Sequence, residues 1–504
     1  MRGSRKLGVA LAGALATLSA GEGWAVGAPS WEEVPPMIAP RGKHTATLLQ
    51  DGRVLVAGGD AGHDIDAETG PVVRKVEIYD PASRRWSSAA QLPARLAGVG
   101  ATVLLPSGLV LVTDGAGAAV YDPARDLWRP VLGPPTPLRA SSASAVLLPS
   151  GKALVAGVTA DEPGVVAASL YDPASTSFTA IPAPGGPLGG AYASATLLDD
   201  GRVLVVAGRG GGIYDPACNS WVKTSDLFSV HARHSATRLA GGNVLIAGGV
   251  VPVVDIVPAA LHEVYIPGLD LWVAMSGLVP PDISCTQGGI TGLATAPLPG
   301  GGVLSAGGGY RHECMYMDSP GSSPEKPPFH IDAGVTLLST MDIFDPALFS
   351  TSVIPRESPV TMERAHHTST RLSDGSVLIA GGYVYHGGPD VLAATTSAVL
   401  FRERSPRGAP CEAGVDCASG FCADAVCCDA ACAGPCDACA AAAGASQDGF
   451  CTPLTGTSCD DAGACIASGV CDAGTCAGGV PAPDGTPCDG GALCSAAGAC
   501  KGGA

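Results

Sequence analysis

Apolar and polar positions along this chain fall into a phrase that keeps returning. HTATLLQDGRVLVAGG, from His44, recurs as HSATRLAGGNVLIAGG from His234 and HTSTRLSDGSVLIAGG from His367, with further versions from Gly100, Ala143, Ala193 and Leu293. Each version predicts two strands around a tight turn (QDG, PSG, PSG, DDG, AGG, PGG, SDG), whose glycine supplies the positive φ of a hairpin. The second strand, VLVAGG or VLIAGG, is apolar at nearly every position instead of alternating. That pattern predicts a strand covered on both faces. A second phrase follows in each unit: VEIYDPASRRW, AVYDPARDLW, SLYDPASTSF, GIYDPACNSW and EVYIPGLDLW. Its closing aromatic stands seven residues after the tyrosine, as in Tyr79 to Trp86 and Tyr214 to Trp221. The sixth unit has Phe344 and Phe349 in IFDPALF, and the seventh ends at Phe401. Asp-Pro makes the turn, because proline fixes φ and lacks a donor. Each unit therefore predicts four strands.

Such a sheet cannot cover its own faces, and repetition at about fifty residues points to blades packed around an axis. The expected fold class is all-β, a seven-bladed propeller over residues 29–404. The seventh unit runs from Phe401 into FRERSPRG without a closing Trp, whereas Trp31 precedes the first unit with no phrase before it. Trp31 lies thirteen residues before His44, as Trp221 does before His234. An N-terminal strand around Trp31 is thus expected to serve as the outer strand of the last blade. Trp31, Trp86, Trp128, Trp221 and Trp272 are the expected closure aromatics. The paired glycines, YDP and spaced Trp resemble the kelch-repeat family in its bacterial, galactose oxidase-like style, over about residues 30–405.

In an antiparallel blade, the second-to-third and between-blade loops share one side of the disc. Those loops vary here from RGGG in the fourth unit to the long segment after Tyr310 in the sixth. Loop diversity on a rigid scaffold is where binding usually sits, so Arg311, His312, Tyr316 and His330 are the candidate binding residues. The resemblance also implies an alternative, a copper radical oxidase holding its metal with two histidines and two tyrosines, one crosslinked to cysteine. Against it, His44, His234 and His367 share one repeat position, as a structural residue would. His366 and His367 would point to opposite faces of a strand. Cys218 falls in a third-to-fourth turn, on the other side. No hydrolase, metalloprotease, P-loop or dinucleotide motif stands in its required context, and Asp51, Asp200 and Asp374 on separate turns make no calcium cage. The expectation is no catalytic residue, no metal and no cofactor.

The 504-residue chain carries a net charge of −17 without a basic stripe, which argues against nucleic acid as a partner. Arg2, Arg5 and Lys6 ahead of the apolar run Leu7 to Ala20 predict a signal peptide at residues 1–28 and an exported, secreted or cell-surface protein. No later stretch predicts a membrane span. SPRGAP, residues 405–410, is a linker. Residues 411–504 hold sixteen of the nineteen cysteines, eleven acidic residues between Cys411 and Cys500, and little apolar bulk. In an exported chain this predicts a disulfide-rich, loop-dominated region of open connectivity. Its candidates are Cys411, Cys417, Cys422, Cys427, Cys428, Cys432, Cys436, Cys439, Cys451, Cys459, Cys465, Cys471, Cys476, Cys488, Cys494 and Cys500; in the propeller Cys285 and Cys314 are expected to pair. The opening C-x5-C-x4-C-x4-CC is similar to Dickkopf-type and disintegrin-like modules. The expected function is non-catalytic binding of carbohydrate or protein at or outside the cell, with the tail as a stabilising or retention module. The alternatives are the oxidase, or another carbohydrate-active enzyme, and a structural envelope protein.

Overall fold

The computed structural model describes residues 27–481 apart from 63–69, 95, 97–99, 163, 185–187, 191, 250–261, 276–289, 318–328, 339–340, 355–362, 387–390, 406, 412–413, 415–416, 418, 462–465 and 478–479. The signal-peptide expectation therefore lies almost wholly outside the described residues. So do Cys285, Cys465, Cys488, Cys494 and Cys500. The chain divides into two compact units, one spanning Ser30–Arg402 and the other holding the chain from Glu403 on.

Among the described residues, seven four-stranded sheets form the body of the first unit, with two two-stranded ribbons beside them. Their innermost strands are Thr45–Leu48, Ala101–Leu104, Ser144–Leu147, Ala193–Leu197, Ser235–Arg238, Ala294–Pro297 and Thr368–Arg371, and define blades one to seven. Each innermost strand lies against that of the next blade, and the seventh lies against the first. The wheel closes. The uniformly apolar second strands are its packing layer: Val54, Leu55, Val56 and Ala57 are all at most 1% exposed. Their side chains join apolar clusters shared by neighbouring blades, such as Leu55 with Val110 and Val112, and Leu204 with Val244 and Ile246. Burial of this kind stabilises by roughly 1.5–3 kcal/mol per large aliphatic side chain, so each blade depends on both neighbours.

The turns follow from the sequence chemistry. Asp80, Asp122, Asp172, Asp215 and Asp345 each accept the N–H of the alanine two residues on, which fixes the DPA turn. Asp51 and Asp200 accept both the backbone N–H and the guanidinium of the arginine two residues on.

Blade seven is completed by Gly27–Val34, which pairs with Ala398–Arg404. Trp31 packs on Phe401 at 4.7 Å between ring centres, matching the 5.0 Å of Tyr79 with Trp86 and the 4.9 Å of Tyr121 with Trp128. A further repeated contact identifies this strand as an outer strand. Trp128, Trp221 and Trp272 each donate the indole N–H to a carbonyl just past the outer strand of the preceding blade, at Ala90, Pro182 and Ser225. Trp86 donates in the same way to Pro35, just past the N-terminal strand.

Blade one hides an ion pair. Arg41, fully buried, bonds Glu77 Oε1 at 2.5 Å and donates to the carbonyls of Gly58 and Lys75. Glu77 also accepts the N–H groups of Ile38 and Ala39. Breaking one partner of such a pair strands a buried charge, at about 3–5 kcal/mol. Glu77→Ala is therefore expected to lower the stability of the propeller by at least about 3 kcal/mol in denaturant unfolding. Arg41→His should cost less, because blade five already uses His231 against Glu263 at 3.0 Å with Gly248 O as second partner. Equal losses for the two variants would contradict the pairing argument.

The second unit has little apolar bulk and is held by crosslinks. Among the described residues, six disulfides join Cys411–Cys422, Cys417–Cys427, Cys428–Cys439, Cys432–Cys451, Cys436–Cys471 and Cys459–Cys476. Short ribbons such as Phe421–Ala423 with Val426–Cys428 run between them, and the buried cluster consists largely of cysteine sulfur. Each loop closure contributes roughly 2–4 kcal/mol in place of a core. Cys218, in the propeller, is a free, exposed thiol.

Candidate functional site

The residues just before each innermost strand meet at the axis. They line a cavity of about 260 Å³ formed by Lys43, His44, Thr45, Gly100, Ala140, Ser141, Tyr192, Ala193, Arg233, His234, Gly292, Leu293, His366 and His367. Every blade contributes. These entries belong to the between-blade connections, so the cavity opens on the side where the loops vary. A larger groove between blades three and four lies among the tight turns of the opposite side, where Asp200 and Arg202 already pair with each other.

The backbone explains how the side chains reach the axis. Lys43, Arg233 and His366 adopt φ of 54°, 60° and 57°, and Gly292 holds the matching place in blade six at 69°. This left-handed turn breaks the strand pleat before the first ladder residue. It also corrects the expectation that His366 and His367 face opposite ways: the strand begins only at Thr368, alternation does not apply, and both rings line the cavity. Main-chain bonds run around the rim, with His366 N–H donating to Gly292 O at 2.7 Å and Lys43 N–H to His366 O at 2.9 Å.

The histidines divide by role. His234 is held on both nitrogens, by Ser194 Oγ at 2.6 Å and His231 O at 3.0 Å. It is a positioning residue. His44 Nε2 meets Thr368 Oγ1 at 3.0 Å, whereas neither ring nitrogen of His367 has a partner. Burial takes the pKa of His44 down to about 3, with the Arg41 charge pushing the same way. His234 falls to about 3, again first through burial. His367 lies well below its ordinary value, through burial and then the charge of Arg364. These imidazoles are neutral near pH 7.

The four residues expected to bind, Arg311, His312, Tyr316 and His330, lie on the ribbon Gly309–Met317 with Phe329–Leu337, between the second and third strands of blade six. Tyr316 and His330 stand directly opposite each other in register, and Arg311 and His312 oppose Val335 and Gly334. Tyr385 of blade seven braces the ribbon, accepting Leu337 N–H at 2.8 Å and donating to Val335 O at 3.0 Å. The repeat does not mark Lys43, Tyr192 and Arg233 as binding residues, and the sequence reading weighs His366 only as a metal ligand. Their signal is the column immediately before the phrase, the one place where constant neighbours frame changing chemistry.

Residues 41–93 match the family model for the Kelch motif. A 70-residue stretch is 34% identical to the F-box/kelch-repeat protein OR23 of Arabidopsis thaliana, covering 14% of this chain and 16% of that protein's length. A fungal alcohol oxidase of the AA5 family, solved in complex with copper, superposes with a TM-score of 0.53 at 16% identity, over 74% of this chain and 76% of its own. The solved structure of YjhT aligns at 14% identity and a TM-score of 0.41, over 73% of this chain and 96% of its own. Residues 30–402 form a seven-bladed β-propeller that carries a Kelch motif at residues 41–93.

The axis can be tested against the copper chemistry of the fungal oxidase. Imidazole and phenolate suit Cu(II), and the axis offers both. Yet His234 is used on both nitrogens, and Tyr192 carries the guanidinium of Arg233 on its ring at 4.6 Å. Among the described residues, groups of three His, Cys, Asp or Glu with ligating atoms within 4.8 Å occur only among the disulfide cysteines. Cys218 lies in a turn on the opposite side. The donor set described does not fit a centre of two histidines and two tyrosines with a cysteine crosslink. A buried Ser305, His262 and Asp342 group, with Ser305 Oγ 3.5 Å from His262 Nε2 and Asp342 Oδ1 at 3.9 Å, lies inside the blade packing away from the cavity. It has no substrate access for nucleophilic chemistry.

Proposed function

We propose that the chain is an exported, non-catalytic binding protein. Its kelch propeller grips a carbohydrate or protein on the variable-loop side, centred on the axial cavity, with the blade-six ribbon as a second contact. The crosslinked region stabilises the exported chain or retains it at the surface. The convergence of seven blade entries, five of them with polar side chains or an aromatic hydroxyl, on one cavity carries the reading. Cavities with a few convergent polar groups on rigid scaffolds are the usual binding sites. Fold alone would not discriminate, and the copper misfit favours binding over oxidation.

A glycan and peptide binding screen with the full chain tests the proposal, with Arg233→Ala alongside. Saturable binding that falls at least tenfold in the variant, at an unchanged melting temperature, is the expected result. An empty screen together with copper-dependent peroxide formation from alcohols would replace the binder with an oxidase.

A further inference from the structure

We infer that the axial cavity takes the carboxylate of an acidic sugar, an inference that rests on the binding reading above. The chain as a whole is strongly acidic, at −17, but among the described residues the cavity lining contains no Asp or Glu. Its basic side chains come from blades five, seven and one: Arg233 with His234, His366 with His367, and Lys43 with His44. Blades two and three supply only Gly100, Ala140 and Ser141. The cavity thus has a donor-rich, cationic arc and a small, uncharged arc.

A second observation lies behind the cationic arc. Where blades one and five place a glutamate against the buried Arg41 and His231, blade seven has Val399: Ile379 pairs with Val399 as Val56 pairs with Glu77. Arg364, 1% exposed, therefore donates only to the uncharged oxygens of Gly381, Ser397 and Ser397 Oγ. Its charge stands next to His367, whose two ring nitrogens have no hydrogen-bond partner although the residue is 94% buried. A buried charge lacking its counter-charge is unfavourable, and an anion in the cavity would supply one. Lys43, Arg233 and His366 also hold left-handed backbone that glycine adopts at less cost, which fits selection for their side chains. A cavity of about 260 Å³ lies below the ~300–1,000 Å³ of a drug-sized site. It has room for one sugar ring, with Thr45 and Ser141 hydroxyls beside it.

Calorimetric titration of the full chain with glucuronate, galacturonate, their neutral hexoses, sulfate and a peptide ending in glutamate tests the inference. A uronate is expected to bind at least tenfold more tightly than its hexose, and more weakly as salt rises. Val399→Glu, which restores the missing counter-charge, should raise the melting temperature and weaken uronate binding at least tenfold. Hexose binding as tight as uronate binding overturns the anion while leaving the binding reading intact. Equal affinity for sulfate, or higher affinity for the peptide, overturns the acidic sugar. Failure of all of these together with an empty glycan screen overturns both readings.

Discussion

A chain that begins at Pro35 is expected to lose the cooperative unfolding of the propeller and to aggregate, although all seven repeat phrases remain. The removed strand contributes one-fourth of a single blade, but its position makes the effect global. Without it Phe401 loses Trp31, and Val34 leaves the cluster that joins blade seven (Leu378, Ala380, Leu400) to blade one (Val54, Val56, Tyr79). The ion pair of Glu32 with Arg84 across the seam goes as well. An open edge of unpaired backbone then faces solvent, which invites edge-to-edge association. In a closed wheel every blade has two neighbours, and breaking one seam leaves two blades half covered. Trp31→Ala, which keeps the strand, should cost about 2–3 kcal/mol, below the full range for aromatic truncation because Trp31 is only partly buried. Trp128→Ala should cost a similar amount without opening the ring. Size-exclusion chromatography and calorimetry separate these outcomes. A monomeric, cooperatively melting chain from Pro35 onward would show that the seam does not govern closure. Addition of a peptide spanning residues 27–37 should restore solubility if it does.

The fold was legible because its signals are periodic. Seven copies of one phrase, a fixed interval from tyrosine to tryptophan, and the matching interval from Trp31 to His44 and Trp221 to His234 all report blade geometry. Each arises from local sterics and packing repeated in register, so errors in one copy are corrected by the others. The site obeys no period. Lys43, Tyr192, Arg233 and His366 share a column that varies because the axis is asymmetric, and the left-handed backbone before the strand cannot be read from side-chain alternation. The substitution of His231 for the arginine of blades one and seven is likewise visible only once Glu263 and Gly248 are seen around it. The missing glutamate at Val399 needs the strand register to be noticed at all. Disulfide connectivity depends on which loops fold back together, and sixteen cysteines in an acidic, glycine-rich stretch leave that open.

The propeller is also expected to lose stability as pH falls from about 6.5 toward 5, well before its surface carboxylates titrate. His44 and His234 are held at about 3, and His367 well below its ordinary value, mainly by burial. In the unfolded chain these rings take up protons near the reference value of about 6.5. Above that pH neither state binds the protons, and the three rings make no difference. Below it the unfolded state binds more, so unfolding becomes easier by up to about 1.4 kcal/mol per pH unit for each histidine. Between 6.5 and 5 that amounts to about 2 kcal/mol per ring as an upper limit, and less for the half-buried His234. The aspartates held low by Arg53, Lys152 and Arg202 lose their contribution only as pH falls through and below the carboxylate range. Asp342 acts with opposite sign, since burial raises its pKa and protonation relieves it, a partial offset in the same acid direction. The net expectation is a melting temperature several degrees lower at pH 5 than at pH 7.5. His44→Gln and His367→Gln, which remove the titrating rings but keep polar side chains of similar reach, should each flatten that slope while changing the melting temperature at pH 7.5 less. A pH-independent melting temperature over this range, or an unchanged slope in the double variant, would mean that the axial imidazoles do not carry the acid sensitivity of the wheel.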